Sequence, residues 1–506
     1  MRRTTVLLTL VVAAAVVVLA TVAPVHVQSQ ARLLIRNAEL VDGTGAPARR
    51  ADVRIVGDRI ADVGALTPTG SEEVVDAGGM TLVPGFIDTH SHHDRGLADR
   101  RDALAAVSQG ITTIVVGQDG GSPMPLADFF SRVDAAPATV NVASYVGHGT
   151  VRRAVLGDDF RRPATADEIA KMQALVEQEM RVGALGLSTG LEYDPGIYSA
   201  PEEVVALARA VAPFGGRYIS HVRSEDRELW KAIDEVIAIG RETGIPVQVG
   251  HIKLAMKSLW GQSERLIEML DRARASGVNI TADVYPYTYW QSGMTVLFPE
   301  RDFTDRAAAE FALRELVTPE NLLVVGFGPD PSLNGRTLAQ IAALRGTDPA
   351  TTMMALIHES DGSGPGIVAT SMDEKDVAEL IAWPLSNICS DGALDGAHPR
   401  GFGAFTRVLG RFVRDERVVA LEEAIRKMTT LAAANVGLTD RGAIAPGQFA
   451  DLVLFDPSTV ADRATTDDPH VTSVGIESVW VNGVLVYDGA TATDARPGRV
   501  LRRASR

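Results

Sequence analysis

The sequence predicts an α/β protein built on a TIM (β/α)8 barrel, with a small β-domain assembled from both chain ends. Three observations carry this. Eight strand-like runs alternate with helical patterns through the middle of the chain, the alternation that builds βα units on a parallel sheet. Short hairpin-like runs flank that middle on both sides. Metal-type side chains collect at the C-terminal ends of the strand-like runs, on the rim where barrel enzymes place their chemistry.

The eight runs are VPGFIDTH (83–90), ITTIVVGQD (111–119), NVASYVGHG (141–149), ALGLSTGL (184–191), RYISHVRS (217–224), PVQVGHIK (246–253), NITADVYPY (279–287) and SNICSDG (386–392). Helical patterns lie between them, such as ADEIAKMQALVEQEMRVG and ELWKAIDEVIAIGRETG, the latter ending at Gly244 as a helix C-cap would. The 98 residues between Tyr287 and Ser386 exceed any plain βα crossover. Residues 288–385 therefore hold an insertion between strands seven and eight, read as a lid over the barrel mouth. At the N-terminal side, RLLIRNAELV, ADVRIV and RIADVG are strands, the last two joined by a turn at Gly57-Asp58. ADLVLFD, ESVWVNG and VLVYDG repeat the style near the other end, with Asn482-Gly483 a type I′ signal. The β-domain thus takes 32–82 and 440–495, and the barrel 83–439.

With 506 residues, 46% hydrophobic and 22% charged, the chain has globular composition. Its formal charge of −15 argues against a nucleic-acid partner, because phosphate contact needs clustered Lys and Arg. One cysteine, Cys389, excludes a disulfide framework and any multi-cysteine metal site. Arg2 and Arg3 precede an apolar run from Val6 to Ala23, the pattern of a secretory signal. Residues 1–31 are read as a signal peptide or an uncleaved N-terminal anchor. The expected location is outside the cytoplasm, periplasmic or secreted, with membrane contact only through that segment.

His90 and His92 follow strand one, and Asp119 follows strand two. His221 closes strand five, His251 strand six and Asp391 strand eight. A lone histidine is more often structural, but six such residues on one rim point to a metal site. His90 and His92, at i and i+2, would point to the same side of a strand and reach one ion. Imidazole and carboxylate donors favour zinc, with manganese and iron as alternatives. His148, ending strand three, stands to contact substrate or brace a ligand.

PGFIDTHSHHD resembles the metal-binding opening of the amidohydrolase superfamily. More narrowly, the chain is similar to the N-acyl-D-amino-acid deacylases, through QGITTIVVGQDG, VGHGTVR, GLSTGLEYDPG, SHVRSE, GHIK, DVYPY, SDGALDGAHPR and APGQFADLVLFDP. The resemblance implies a TIM barrel beside a small β-sandwich. It implies that His221 and His251 hold a tightly bound zinc, with His90 and His92 at a second, weaker position. In this branch a cysteine usually follows strand two, and here Asp119 stands there; a carboxylate can replace the thiolate and can bridge two ions. Strand four contains no lysine to bridge a metal pair, and Glu192 is the nearest carboxylate.

The chemistry expected is amide hydrolysis, in which zinc lowers the pKa of bound water to about 7. Asp391 is the catalytic residue that accepts the water's proton and passes it to the departing amine. By resemblance, the carboxylate of the small-molecule N-acyl-amino-acid substrate is gripped by Lys253, one of six lysines, by Tyr285 with Tyr287 as rival, and by Arg400. An arginine suits that task because its fork matches a carboxylate. Tyr193, after strand four, could line the same pocket. The expected activity is release of a free D-amino acid from an N-acyl-D-amino acid. A cyclic-amide hydrolase of hydantoinase or dihydroorotase type, or a dipeptidase, is the alternative.

Overall fold

In the computed structural model the described residues are 32–503. The segment read as a signal or anchor, 1–31, lies outside them.

Eight parallel strands follow one another through the middle of the chain. They are Phe86–Asp88, Ile111–Val116, Asn141–Ser144, Gly186–Gly190, Arg217–His221, Val247–Val249, Ile280–Val284 and Ser386–Ile388. Each pairs with the next, the third through its continuation Val146–Gly147 and the seventh directly with the eighth. A parallel bridge, Ser91 to Gly392, and a bond from Asp391 N–H to the His90 carbonyl (2.8 Å) link the last strand to the first. This order is consistent with the expected (β/α)8 arrangement. ITTIVV at Ile111–Val116 shows why these runs become strands. It is rich in β-branched residues and wholly buried, as a strand covered on both faces must be. Between strands, helix Ala166–Val182 starts on a Thr165/Glu168 capping box. Helix Leu229–Thr243 ends at Gly244, whose φ of 70° a side chain would oppose.

The two chain ends share one eight-stranded sheet. Thr81–Pro84 pairs with Arg32–Leu40 on one side and antiparallel with Leu452–Phe455 on the other. The turns at Gly57-Asp58 and Asn482-Gly483 join neighbouring strands as expected, the latter with φ of 49° and 79°. The edge strand Arg59–Gly64 comes back to residues 447–450 through bonds such as Ile60 N–H to the Gln448 carbonyl (2.9 Å). The sheet so curled encloses its own core, including Leu34's neighbours Leu33 and Ile35, with Val53, Leu452 and Trp480.

Two expectations need correction. VPGFIDTH is not one strand: Thr81–Pro84 belongs to the composite sheet and only Phe86–Asp88 to the barrel. Gly85 is the crossing point, where a Cβ would lie 2.2 Å from the Thr112 hydroxyl. Strands two, six and eight also stop before the residues read as their ends, whereas strand five does end at His221. Asp119, His251 and Asp391 have φ of 52°, 32° and 49°, left-handed backbone that cannot continue a strand. The stretch 288–385 carries a four-stranded sheet of its own, ordered Tyr289–Gly293, Gly366–Thr370, Leu322–Gly326, Arg336–Thr337. It stands beside the C-terminal rim and contributes to the cavity described below.

Candidate active site

Six side chains converge where the strands end. Asp119 is at their centre: one oxygen lies 3.2 Å from His90 Nε2 and 3.3 Å from His251 Nε2, and the other 3.2 Å from His92 Nε2. His221 Nδ1 faces His251 Nε2 at 3.0 Å, and Asp391 lies 3.2 Å from His92 Nε2. Three groups of donor atoms result: His90/His92/Asp119/Asp391 and Asp119/His221/His251, which share Asp119, and Glu192/His221/Glu225 beside them.

The donors suit a divalent cation. His90 is fully buried and lies 3.2 Å from Asp119, yet neither of its ring nitrogens makes a hydrogen bond, and Asp391 Oδ1, though 3.2 Å from His92 Nε2, makes none either. Such groups converge on a shared point rather than on one another. The electrostatics agree. Burial opposes charge on His90, but Asp119 and Asp283 hold its pKa well above the ordinary value. Burial also pushes Asp119 upward, but His90 and His251 hold it well below the usual carboxylate range. The site therefore favours positive charge. All donors are nitrogen or oxygen; Cys389 turns away, with Sγ 3.3 Å from Asp283. Zinc, manganese or iron fits this set.

Surrounding residues orient the ligands. Glu192 meets His221 Nε2 at 2.9 Å, which leaves Nδ1 for the centre. It thus braces a ligand from behind and is in neither group built on Asp119. Behind His251, Nδ1 is met by Lys253 Nζ at 2.7 Å and Glu225 at 2.9 Å. Asp283 accepts the His251 backbone N–H and a bond from Gln248. Asp88 accepts from Ser390 backbone and hydroxyl, and burial pushes its pKa up to about 6. Strand one is thereby tied to the loop that carries Asp391.

Sequence reasoning assigned no role to Glu225, Asp283 or His398. Glu225 stands four residues after His221 in SHVRSE, but its partner Lys253 is on the next strand's loop. It accepts from Lys253 Nζ at 2.6 Å. His398 Nε2 donates to the Tyr289 carbonyl (2.8 Å) while Nδ1 accepts the Arg400 N–H (3.0 Å), anchoring the loop before Arg400.

The residues expected to take the substrate carboxylate divide. Arg400, buried at the start of helix Arg400–Arg407, places NH1 2.5 Å from Asp391 and its guanidinium carbon 4.8 Å from the Tyr285 ring centre. Lys253 Nζ is 5.6 Å from the same ring, and the Tyr285 hydroxyl is buried without a partner. Tyr193 lies over His221 with ring centres 4.3 Å apart. Tyr287 departs from its expected place. It packs against Tyr289, His398 and Arg407; neither Tyr287 nor Tyr285 lines the chambers described below, and what separates the two is that Tyr285 is the ring beside Lys253 and Arg400. His148 also departs. It is the first residue of helix His148–Leu156, fully buried, with Nε2 2.8 Å from Glu203, which also pairs with Arg152. A buried carboxylate, itself paired with Arg152, claims that imidazole, so it braces the wall instead of facing substrate.

Two chambers adjoin the centre. The outer has a volume of about 870 Å3 and reaches His92, Asp119 and Asp391. The inner, about 40 Å3, reaches His221, His251 and Lys253 and is bordered by Trp290, Val296 and Leu297 of the insertion. Tyr193, Asp391 and Arg400 line both.

The profile of the amidohydrolase family matches this sequence in two overlapping stretches, 73–318 and 304–487. The chain belongs to the amidohydrolase family. Among relatives of this amidohydrolase is an N-acyl-D-glutamate deacylase of Alcaligenes xylosoxydans xylosoxydans, 38% identical over 94% of this chain and 97% of the relative. A D-aminoacylase of the same organism is 37% identical over 94% of this chain and 98% of its own. Among solved structures, a D-aminoacylase superposes with a TM-score of 0.83 at 36% identity, covering 93% of this chain and 99% of that one. The N-acyl-D-glutamate deacylase of Bordetella bronchiseptica, complexed with zinc and a phosphonate mimic of the tetrahedral intermediate, gives 0.84 at 38%, covering 94% and 100%. This amidohydrolase therefore stands in the N-acyl-D-amino-acid deacylase branch.

Proposed function

We propose that the protein is an exported, zinc-dependent deacylase that hydrolyses N-acyl-D-amino acids to a carboxylate and a free D-amino acid. The observation that carries this reading is a pair of cations, Lys253 and Arg400, beside the Tyr285 ring (5.6 and 4.8 Å from its centre) and next to a carboxylate–imidazole centre. A linear N-acyl-amino acid needs both, because its carboxylate lies two bonds from the scissile nitrogen. Preference for the D-isomer and for zinc is supported by the relatives named above, and export by the N-terminal pattern. We read the eight-strand ring as a TIM barrel, the curled composite sheet as a β-sandwich, and 288–385 as a lid.

Asp119, His221 and His251 would hold one ion, and His90 and His92 with Asp119 a second. A bound divalent ion supplies Lewis acidity toward the scissile carbonyl and lowers the pKa of water. The chain's own residues do the rest. Arg400 and Lys253 bind the substrate carboxylate and fix the amide over the centre. Asp391, kept ionised by Arg400 and the neighbouring imidazoles against the effect of burial, takes a proton from the attacking water. As the water oxygen joins the carbonyl carbon and the C–N bond breaks, Asp391 returns that proton to nitrogen, which leaves as an amine.

The test is a substrate panel with metal analysis on the purified full chain. Hydrolysis of N-acetyl-D-amino acids, with little on their L-isomers, is expected. Hydrolysis of hydantoins or dipeptides without N-acyl-D-amino acids would overturn the reading.

A further inference from the structure

The outer chamber is far larger than an acetyl group requires, and its lining is unusual. Among the described residues, no leucine, isoleucine, valine, phenylalanine, methionine or tryptophan side chain borders it. Much of the wall is glycine backbone. Gly293 and Gly366, paired across the insertion's sheet, illustrate this. A Cβ at either would meet nothing nearer than 3.7 Å and 3.6 Å, and neither has positive φ. Packing and backbone would both admit a side chain there, so glycine at these positions keeps the chamber wide and lined by peptide groups.

Two arginines border the same chamber, Arg95 three residues after His92 and Arg153 on helix His148–Leu156. Neither guanidinium forms an ion pair with a carboxylate among the described residues. Arg153 lies over the Phe160 ring, 4.5 Å from its centre, which steadies a long side chain. Three aspartates border the chamber too, but Asp119 lies among the imidazoles, Asp391 is paired with Arg400 and Asp194 with Arg301, so Arg95 and Arg153 are the charges there that no ion pair engages, available to an anion.

Orientation follows from which ligands face which chamber. With the substrate carboxylate at Lys253 and Arg400, the amino-acid half occupies the inner chamber and its side chain meets Trp290, Val296 and Leu297. The acyl half then leaves the centre on the side of His92, into the outer chamber.

We propose that Arg95 and Arg153 make this enzyme selective for acyl groups that end in a carboxylate, the mono-amides of small dicarboxylic acids. The inference rests on the deacylase reading above and names the substrate class of the same site. Exposed cations contribute modestly one by one, ~0.2–1 kcal/mol each, or about 1.4- to 5-fold in binding.

The experiment compares kcat/KM for N-butyryl-, N-succinyl- and N-glutaryl-D-leucine, with N-acetyl-D-glutamate alongside. The wild-type protein, Arg95→Met, Arg153→Met and the double variant are assayed at low and high salt. The expected result is an advantage of about three- to tenfold for an acidic acyl group over butyryl at low salt. That ratio should shrink in high salt and fall to near one in the double variant. No preference over butyryl, or a preference that survives the double substitution, overturns the proposal. So does a loss confined to N-acetyl-D-glutamate, which would place the amino-acid side chain in the outer chamber. If N-butyryl-D-leucine is cleaved without any acidic preference, only this inference fails; if no N-acyl-D-amino acid is cleaved, the deacylase reading fails with it.

Discussion

Replacing Asp391 by asparagine separates proton transfer from metal binding. The amide has nearly the shape of the carboxylate, so its oxygen can keep the place 3.2 Å from His92 Nε2. Asp119, His221 and His251 are untouched, so the ion that group would hold should be retained at the wild-type level. What the variant loses is the base. General acid–base groups contribute ~10²- to 10⁴-fold, and kcat should fall by that factor, or ~3–5 kcal/mol of barrier. KM should change far less, because Lys253 and Arg400 still hold the substrate. A second, independent signature follows from Arg400, whose guanidinium pairs with Asp391 while both side chains are under a tenth exposed. Removing one partner of a buried pair costs on the order of 3–5 kcal/mol, so the thermal transition should drop while circular dichroism shows a folded protein. Steady-state kinetics on N-acetyl-D-amino acids, read against metal per chain, decides the matter. A kcat that falls only as far as the metal content falls would refute the proton-transfer role and make Asp391 a ligand alone.

His221→Ala should lose metal and activity together, measured by elemental analysis and turnover; a fully active metal-free variant would remove His221 from the centre. Arg400→Met should lose about 10- to 150-fold in kcat/KM on N-acyl-amino acids, the ~1.5–3 kcal/mol of a charged hydrogen bond. The loss should be smaller on substrates with an amidated carboxylate, and equal losses would count against the clamp. Glu203→Gln leaves Arg152 buried without its carboxylate and should lower stability by roughly 3–5 kcal/mol in denaturant unfolding. A change under about 1 kcal/mol would show the pair is replaceable by the carbonyls that Arg152 also reaches.

The strands are legible in the sequence because strands covered on both faces appear as short apolar runs, and Ile111–Val116 is as clear as any. The six residues of the centre are legible because polar ligands interrupt those runs at a common end. Where each strand stops is not legible: positive φ at Asp119, His251 and Asp391 is a tertiary outcome that no local pattern encodes. VPGFIDTH reads as one strand because nothing in its composition shows that its first half pairs with residues near the other end of the chain. Glu225 and Asp283 look like ordinary charged letters, since what makes them matter, Lys253 and the His251 backbone, comes from another loop. The same holds for His148, whose fate is decided by Glu203, 55 residues on.

The composite sheet also sets a schedule for folding. Thr81–Pro84 is wholly buried when complete, but one of its two edges is filled only by Leu452–Phe455, about 370 residues later in the chain. At ~5–20 residues per second that edge waits on the order of tens of seconds during synthesis. Through that interval Leu82 and Val83 lie on an unpaired strand edge, a template for pairing with another chain. A chain kept unfolded for passage across a membrane would not present this edge until both ends had arrived. In rapid cytoplasmic overproduction, aggregation should begin at this edge, before any defect of the active site is felt.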